Sequence, residues 1–123
     1  MVKTTTHAWT FGGVTYGVEG IPVTEKGGLA CLGVSTLELA KAEVAIMLAA
    51  LTDGCRDPEA LRFARRCTAY DQTGWAMVVD ASQLDVDAWE RGRAQAPEAC
   101  VARIIDLLTQ RDRGGFVARR VTV

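Results

Sequence analysis

Arg62, Arg65 and Arg66 stand at i, i+3 and i+4, so a helix through them sets three guanidinium groups on one face. Planar guanidinium groups suit carboxylate and phosphate, and the chemistry they offer is anion binding. The plainer alternative is a solvated helix face, which Glu59, one turn before Arg62, would support. Arg111, Arg113, Arg119 and Arg120 gather toward the C-terminus. In a strand, Arg119 shares a face with Val117, Val121 and Val123, and an arginine that interrupts an apolar face is paired, at the rim, or lining a pocket. Arg120 points to the opposite face. The candidate ligand-binding residues are therefore Arg62, Arg65, Arg66, Arg119 and Arg120, for an anionic small molecule or nucleotide. Around Phe63, arginines and Tyr70 interleave in a way that could stack bases, but no nucleic-acid motif accompanies them and the net charge is −1. Nucleic acid is an unfavoured partner.

Other reactive residue types are sparse. His7 is the one histidine, and its i+2 neighbours Trp9 and Phe11 place it at the start of an apolar strand face rather than in an acid–base pair. Cys31, Cys55, Cys67 and Cys100 form no Cys-x-x-Cys pair and carry no nucleophile signature, so they read as small hydrophobic residues in a reducing compartment. Asp80, Asp85 and Asp87 could approach a divalent cation, yet Asp85 is placed to cap a helix whose positive end Asp87 and Glu90 suit. The pairs Gly12-Gly13, Gly27-Gly28 and Gly114-Gly115 lack the strand-to-helix context of a phosphate loop and read as turns. No catalytic residue, metal ligand or cofactor is expected.

Such residues need a scaffold, and 123 residues suffice for one domain over positions 1–123. With 49% hydrophobic and 24% charged residues, the chain has enough apolar surface to exclude disorder as a description of the whole. The longest apolar run, Val44 to Leu51, is far too short to cross a bilayer, and no secretory signal is visible near Met1. A cytoplasmic location without membrane partners is expected.

The chain opens on alternation. Thr5 to Phe11 and Val14 to Val18 flank Gly12-Gly13, which predicts a hairpin pairing Phe11 with Val14, Trp9 with Tyr16 and His7 with Val18. The opposite face, with Ala8, Thr10, Thr15 and Gly17, has neither charge nor bulk, so something lies against it. A second hairpin follows around Gly27-Gly28; Pro22 marks its first strand as short or at an edge, while Leu29 to Val34 reads as an interior strand. Ser35 to Glu38 is a capping box for a helix from Thr36 to about Thr52, stopped by Asp53-Gly54. A second helix runs from Asp57-Pro58 to near Cys67. Trp75 to Val79 reads as a strand, Asp85 to about Gln95 as a third helix, Pro97 to Arg111 as a fourth, and Phe116 to Val123 as a last strand. The expected class is α+β: a mixed, mostly antiparallel sheet, made of N-terminal β-hairpins and two later strands, packed by about four helices.

Several of these elements look apolar on more than one side, which points to a homo-oligomer, a dimer above all, joined through the face of Thr10 and Thr15 or through the first helix. The alternative is that helices cover both faces of the sheet within one chain. With so little reactive chemistry, the expected function is that of a small non-catalytic intracellular binding protein acting through a protein–protein surface. Inhibitors and immunity proteins, including those of phages and mobile elements, have this profile. The alternative is an anion-binding protein or small enzyme that uses its arginines.

Overall fold

Gly12 and Gly13 take φ of 58° and 82°, the left-handed values a two-residue primed turn requires. In the computed structural model, which describes residues 3–112 and 115–122, they join β1 (Thr4–Phe11) to β2 (Val14–Lys26). The register pairs Phe11 with Val14, Trp9 with Tyr16 and His7 with Val18, as the alternation predicts. Gly17 sits opposite Ala8, where an added Cβ would lie 2.9 Å from the Ala8 Cβ and 3.0 Å from the His7 carbonyl oxygen. Only glycine fits there.

β2 is one strand of 13 residues, where two shorter ones were expected. It pairs antiparallel with β1, with β3 (Leu29–Leu32) through Val23–Lys26, and with β4 (Ala118–Val121) through Thr15–Val18. Pro22 therefore lies inside the central strand rather than in a short edge strand. It is tolerated because it falls between the β4 ladder, which ends at Val18, and the β3 ladder, which begins at Val23. β3 corrects a second expectation: all four of its residues are exposed, Leu29 by 71%, although the apolar run reads as interior. β4 is shorter than the expected Phe116 to Val123, and Val123, Arg113 and Gly114 lie outside the described residues.

Between β3 and β4 come five helices: α1 (Thr36–Thr52), α2 (Pro58–Cys67), α3 (Gln72–Val79), α4 (Gln83–Glu90) and α5 (Glu98–Arg111). α1 begins where Ser35 accepts a hydrogen bond from the Glu38 amide (3.1 Å), and its buried second half packs against α2, α5 and the sheet. The second half of the first helix is thus covered within the chain, while Leu37 in its first turn is 67% exposed.

α3 replaces the expected strand. The Asp71 side chain accepts from the Gly74 amide at 2.7 Å, capping a helix in which Trp75, Ala76 and Val79 are buried while Met77 is 80% exposed. Strand alternation would have placed Met77 with Trp75 and Val79. A short apolar run fits either period, and the cap decides. α4 also differs from expectation: Ser82 is its N-cap, Asp85 is the third residue of the capping box, and the helix stops at Glu90 rather than near Gln95. Asp87 and Glu90 lie at its far end, beside arginines.

The result is an α+β fold with an antiparallel sheet of four strands and five helices among the described residues. Its core, with Trp75, Ile46, Met47, Leu51, Ile104 and Leu108 at the centre, lies on the inner face of the sheet with Phe11, Tyr16, Val18 and Ile21. Helices do not cover both faces. Ala8, Thr10 and Arg119 on the outer face are exposed.

Candidate functional site

α2 starts at Asp57, whose carboxylate accepts from the Glu59 amide at 3.0 Å, with Pro58 in the first turn where no hydrogen bond is lost. Ala60, Leu61 and Ala64 bury one face of the helix. The other carries Arg62 and Arg66, both exposed, with Phe63 turned toward β1. There the Phe63 ring meets Trp9 at 4.5 Å between centroids, tilted by 53°, and Phe11 at 6.1 Å. Trp9, Thr10 and Phe11 on the strand and Glu59, Arg62, Phe63 and Arg66 on the helix line a cleft of about 160 Å³. Among the described residues neither Arg62 nor Arg66 has a hydrogen-bond or ion-pair partner.

Arg65 is placed differently from its two neighbours. Its Nε donates to Glu90 Oε2 at 2.7 Å, its Nη2 to Oε1 at 2.8 Å, and its Nη1 to the Tyr70 carbonyl at 3.0 Å. The side chains are only 13% and 5% exposed, and the Glu90 bonds outweigh burial, holding the guanidinium above its ordinary pKa. Arg65 thus ties α2 to α4 and to the loop before α3. Three of its five N–H groups are taken by these bonds, and with the side chain 13% exposed it serves the fold more than a ligand.

The two C-terminal candidates also face carboxylates. Arg119 lies on the outer sheet face and donates to both Glu19 oxygens at 2.9 and 3.0 Å; it is exposed, so the apolar face it was expected to interrupt is an open one. Val117, on that expected face, is 80% exposed. Arg120 shares the inner face with Tyr16, its register partner, and donates to Asp53 Oδ2. The Tyr16 hydroxyl donates to the same oxygen at 2.6 Å. Tyr16 and Arg120 together hold the Asp53 carboxyl below its usual pKa, while burial, and then Asp53, raise that of Tyr16.

These opposite shifts give opposite pH dependences. The Asp53 contribution is present above its unfolded pKa and is lost as pH falls through its lower folded value. The Tyr16 contribution is present below its unfolded value and is lost as pH rises through the higher folded one. Asp53→Asn is therefore expected to lower the melting temperature at neutral pH and to have little effect in strong acid. Melting curves across pH check this; an equal drop at every pH would disprove the linkage.

His7 Nε2 lies 3.4 Å from Glu43 Oε1 but forms no hydrogen bond, and the imidazole stands edge-on to Trp9. Burial, with Glu43 adding to it, pushes the nearby Cys67 thiol up to about 12, so it stays protonated and is a poor nucleophile. Cys100 is buried with its pKa raised, Cys55 is half-buried, and Cys31 is exposed on β3. Asp80, in the left-handed conformation, ends α3, and Asp87 accepts from Arg91 at 2.9 Å. Among the described residues no group of three His, Cys, Asp or Glu could hold a metal ion.

Thr10 and Thr15 face each other across the outer side of the first hairpin, with 2.7 Å between their hydroxyl oxygens. Around them are Ala8, Gly17 and Val121, and the Glu19–Arg119 pair supplies the charges of that face. Sequence reasoning missed the approach of Phe63 to Trp9, which are 54 positions apart; only the alternation of Trp9 and Phe11 hinted that a partner must cover them. No helix among the described residues is long and apolar enough to cross a membrane. Comparison with models of known protein families, with curated proteins and with solved structures finds no match to this chain.

Proposed function

We propose that this chain is a small non-catalytic binding protein that works through protein–protein surfaces, as a dimer joined edge to edge along β3. The observation that carries this reading is β3 itself: Leu29-Ala30-Cys31-Leu32 is apolar, uncharged and exposed at every position. Monomeric proteins protect edge strands with lysine, proline, bulges or a covering loop. At four residues β3 is short, which itself limits edge pairing, but it has none of these other devices, and a second copy is the partner that matches it.

Antiparallel pairing of two β3 strands would extend the four-stranded sheet into one of eight. The two-fold axis would stand perpendicular to that sheet, so the uncovered faces of both copies, each with Thr10 and Thr15 at its hairpin end, would lie on the same side. Such a platform, nearly free of charge, suits a flat protein partner. Inhibitors and immunity proteins are the class whose work is of this kind.

Light scattering on the purified protein tests the reading. A mass of twice the 13.2 kDa chain is expected, falling to one chain in Leu29→Glu/Leu32→Glu with the circular dichroism spectrum unchanged. A wild-type protein that stays monomeric at high concentration would overturn the dimer, as would a dimer indifferent to both substitutions.

A further inference from the structure

Most arginines of this chain are matched to carboxylates, from Arg56 with Glu98 at 3.0 Å to Arg65 with Glu90 and Arg120 with Asp53. Arg62 and Arg66 are the exception that falls in one place. They stand one turn apart on α2, so their Cβ atoms are about 5–6 Å apart and both guanidinium groups can reach one phosphate. Neither forms an ion pair with a carboxylate among the described residues, although Arg62 also borders the cavity of Asp87 and Glu90.

Beside them the cleft floor is aromatic. Trp9 is 38% exposed and is propped from behind by Phe63 at 4.5 Å, so part of the indole is free to stack a flat ring. The volume of about 160 Å³ is that of roughly five water molecules in the liquid, enough for one ring or one phosphate sunk into the cleft with the rest of the ligand at its mouth. Glu59, on the helix wall, disfavours a second phosphate and can accept hydrogen bonds from ribose hydroxyls or an exocyclic amine.

We propose that this cleft binds a nucleoside monophosphate, its phosphate held between Arg62 and Arg66 and its base stacked on Trp9. The site is independent of the β3 edge and goes beyond the binding role proposed above. A free mononucleotide fits better than a nucleic-acid strand, since the cleft takes one unit and the net charge of −1 gives no attraction along a backbone.

Tryptophan fluorescence offers a direct readout. Trp75 and Trp89 are 1% and 5% exposed, so quenching by a stacked base would come chiefly from Trp9. The four ribonucleoside 5′-monophosphates, inorganic phosphate and a single-stranded oligonucleotide would each be titrated into the wild-type protein, with calorimetry alongside. Saturable quenching by at least one monophosphate is expected, with affinity at least about tenfold weaker in Arg62→Ala/Arg66→Ala, the scale of a lost charge-assisted hydrogen bond. No saturable response to any monophosphate, or an unchanged affinity in the double variant, would overturn the proposal. Phosphate binding as tightly as the nucleotides would disprove the stacking half. Tighter, steeply salt-dependent binding of the oligonucleotide would replace the mononucleotide by a strand. Because both arginines are exposed, the variant keeps its fold, which the circular dichroism spectrum checks.

Discussion

Replacing Arg65 by alanine is expected to cost about 3–5 kcal/mol of folding stability, because the change leaves the Glu90 carboxylate buried without its partner. Glu90 is only 5% exposed, and the two charge-assisted bonds from Arg65 at 2.7 and 2.8 Å satisfy one lone pair on each of its oxygens. The remaining neighbour, Gln72, reaches Glu90 at 3.4 Å, too long and too weak to compensate. The same substitution frees the Tyr70 carbonyl at the bend between α2 and α3. A second variant isolates the cause. Arg65→Met combined with Glu90→Leu removes both charges and keeps much of the packing, so it should lie within about 1–2 kcal/mol of the wild type. Urea unfolding measures both, at one protein concentration because association and folding are coupled in a dimer. If the single and double variants lose the same amount, the cost is packing and not an unpaired charge. A loss near 1 kcal/mol in Arg65→Ala would place the pair with ordinary surface bridges.

That pair also shows why the sequence is legible in some places and not in others. The spacing of Arg62, Arg65 and Arg66 fixes a common helix face, because i, i+3 and i+4 positions are neighbours on any helix. It does not separate the arginine that is consumed by the fold from the two that face solvent. Glu90 is 25 positions away on a helix whose docking depends on the whole core, and no local pattern records that contact. The first hairpin is the opposite case. Its turn needs two left-handed residues, Gly12-Gly13 supplies them, and the register of the five pairs from Phe11–Val14 to His7–Val18 follows, up to a bulge between Thr5 and His7 that no local pattern announces. The first two helices are equally legible, since Ser35 and Asp57 mark their starts with side-chain caps.

The misreadings share one physical source. Trp75 to Val79 and Leu29 to Val34 are short apolar runs, and apolar runs state that a segment avoids water without stating how. The first is a helix because Asp71 caps it; the second is a strand whose surroundings are absent within one chain. Burial on both faces was expected for β3 from composition alone. The fold supplies neither neighbour, and that unmet demand is what a second copy would answer.

The strongest consequence of that answer concerns Cys31. The two-residue turn at Gly27-Gly28 makes Lys26 and Leu29 a hydrogen-bonded pair, so Thr24 and Cys31 form the next one, and the Gly33 amide donates to the Pro22 carbonyl beyond it. Leu29 and Cys31 therefore turn their amides and carbonyls toward β2, while Ala30 and Leu32 turn theirs to the free edge. In a two-fold pairing both outward residues bond within the strand in one register, with Ala30 opposite the partner's Leu32. Cys31 then faces the partner's Cys31 across a non-hydrogen-bonded site, where Cα atoms lie about 4.5 Å apart and a disulfide can close. Mild oxidation of the dimer with diamide is expected to yield a covalent product of twice 13.2 kDa on a non-reducing gel, absent in Cys31→Ser. Cys67, half-buried, and Cys100, buried, both have a raised pKa and should not substitute for it. Ala30→Pro adds an internal control: residue 30 sits at a non-hydrogen-bonded position toward β2, so proline there blocks the free edge and leaves the intramolecular ladder intact. It should abolish both the cross-link and the dimer without unfolding the chain. A dimer that survives Ala30→Pro, or one that never cross-links through Cys31, would show that association uses another face, and the hairpin face around Thr10 and Thr15 would be the next to substitute.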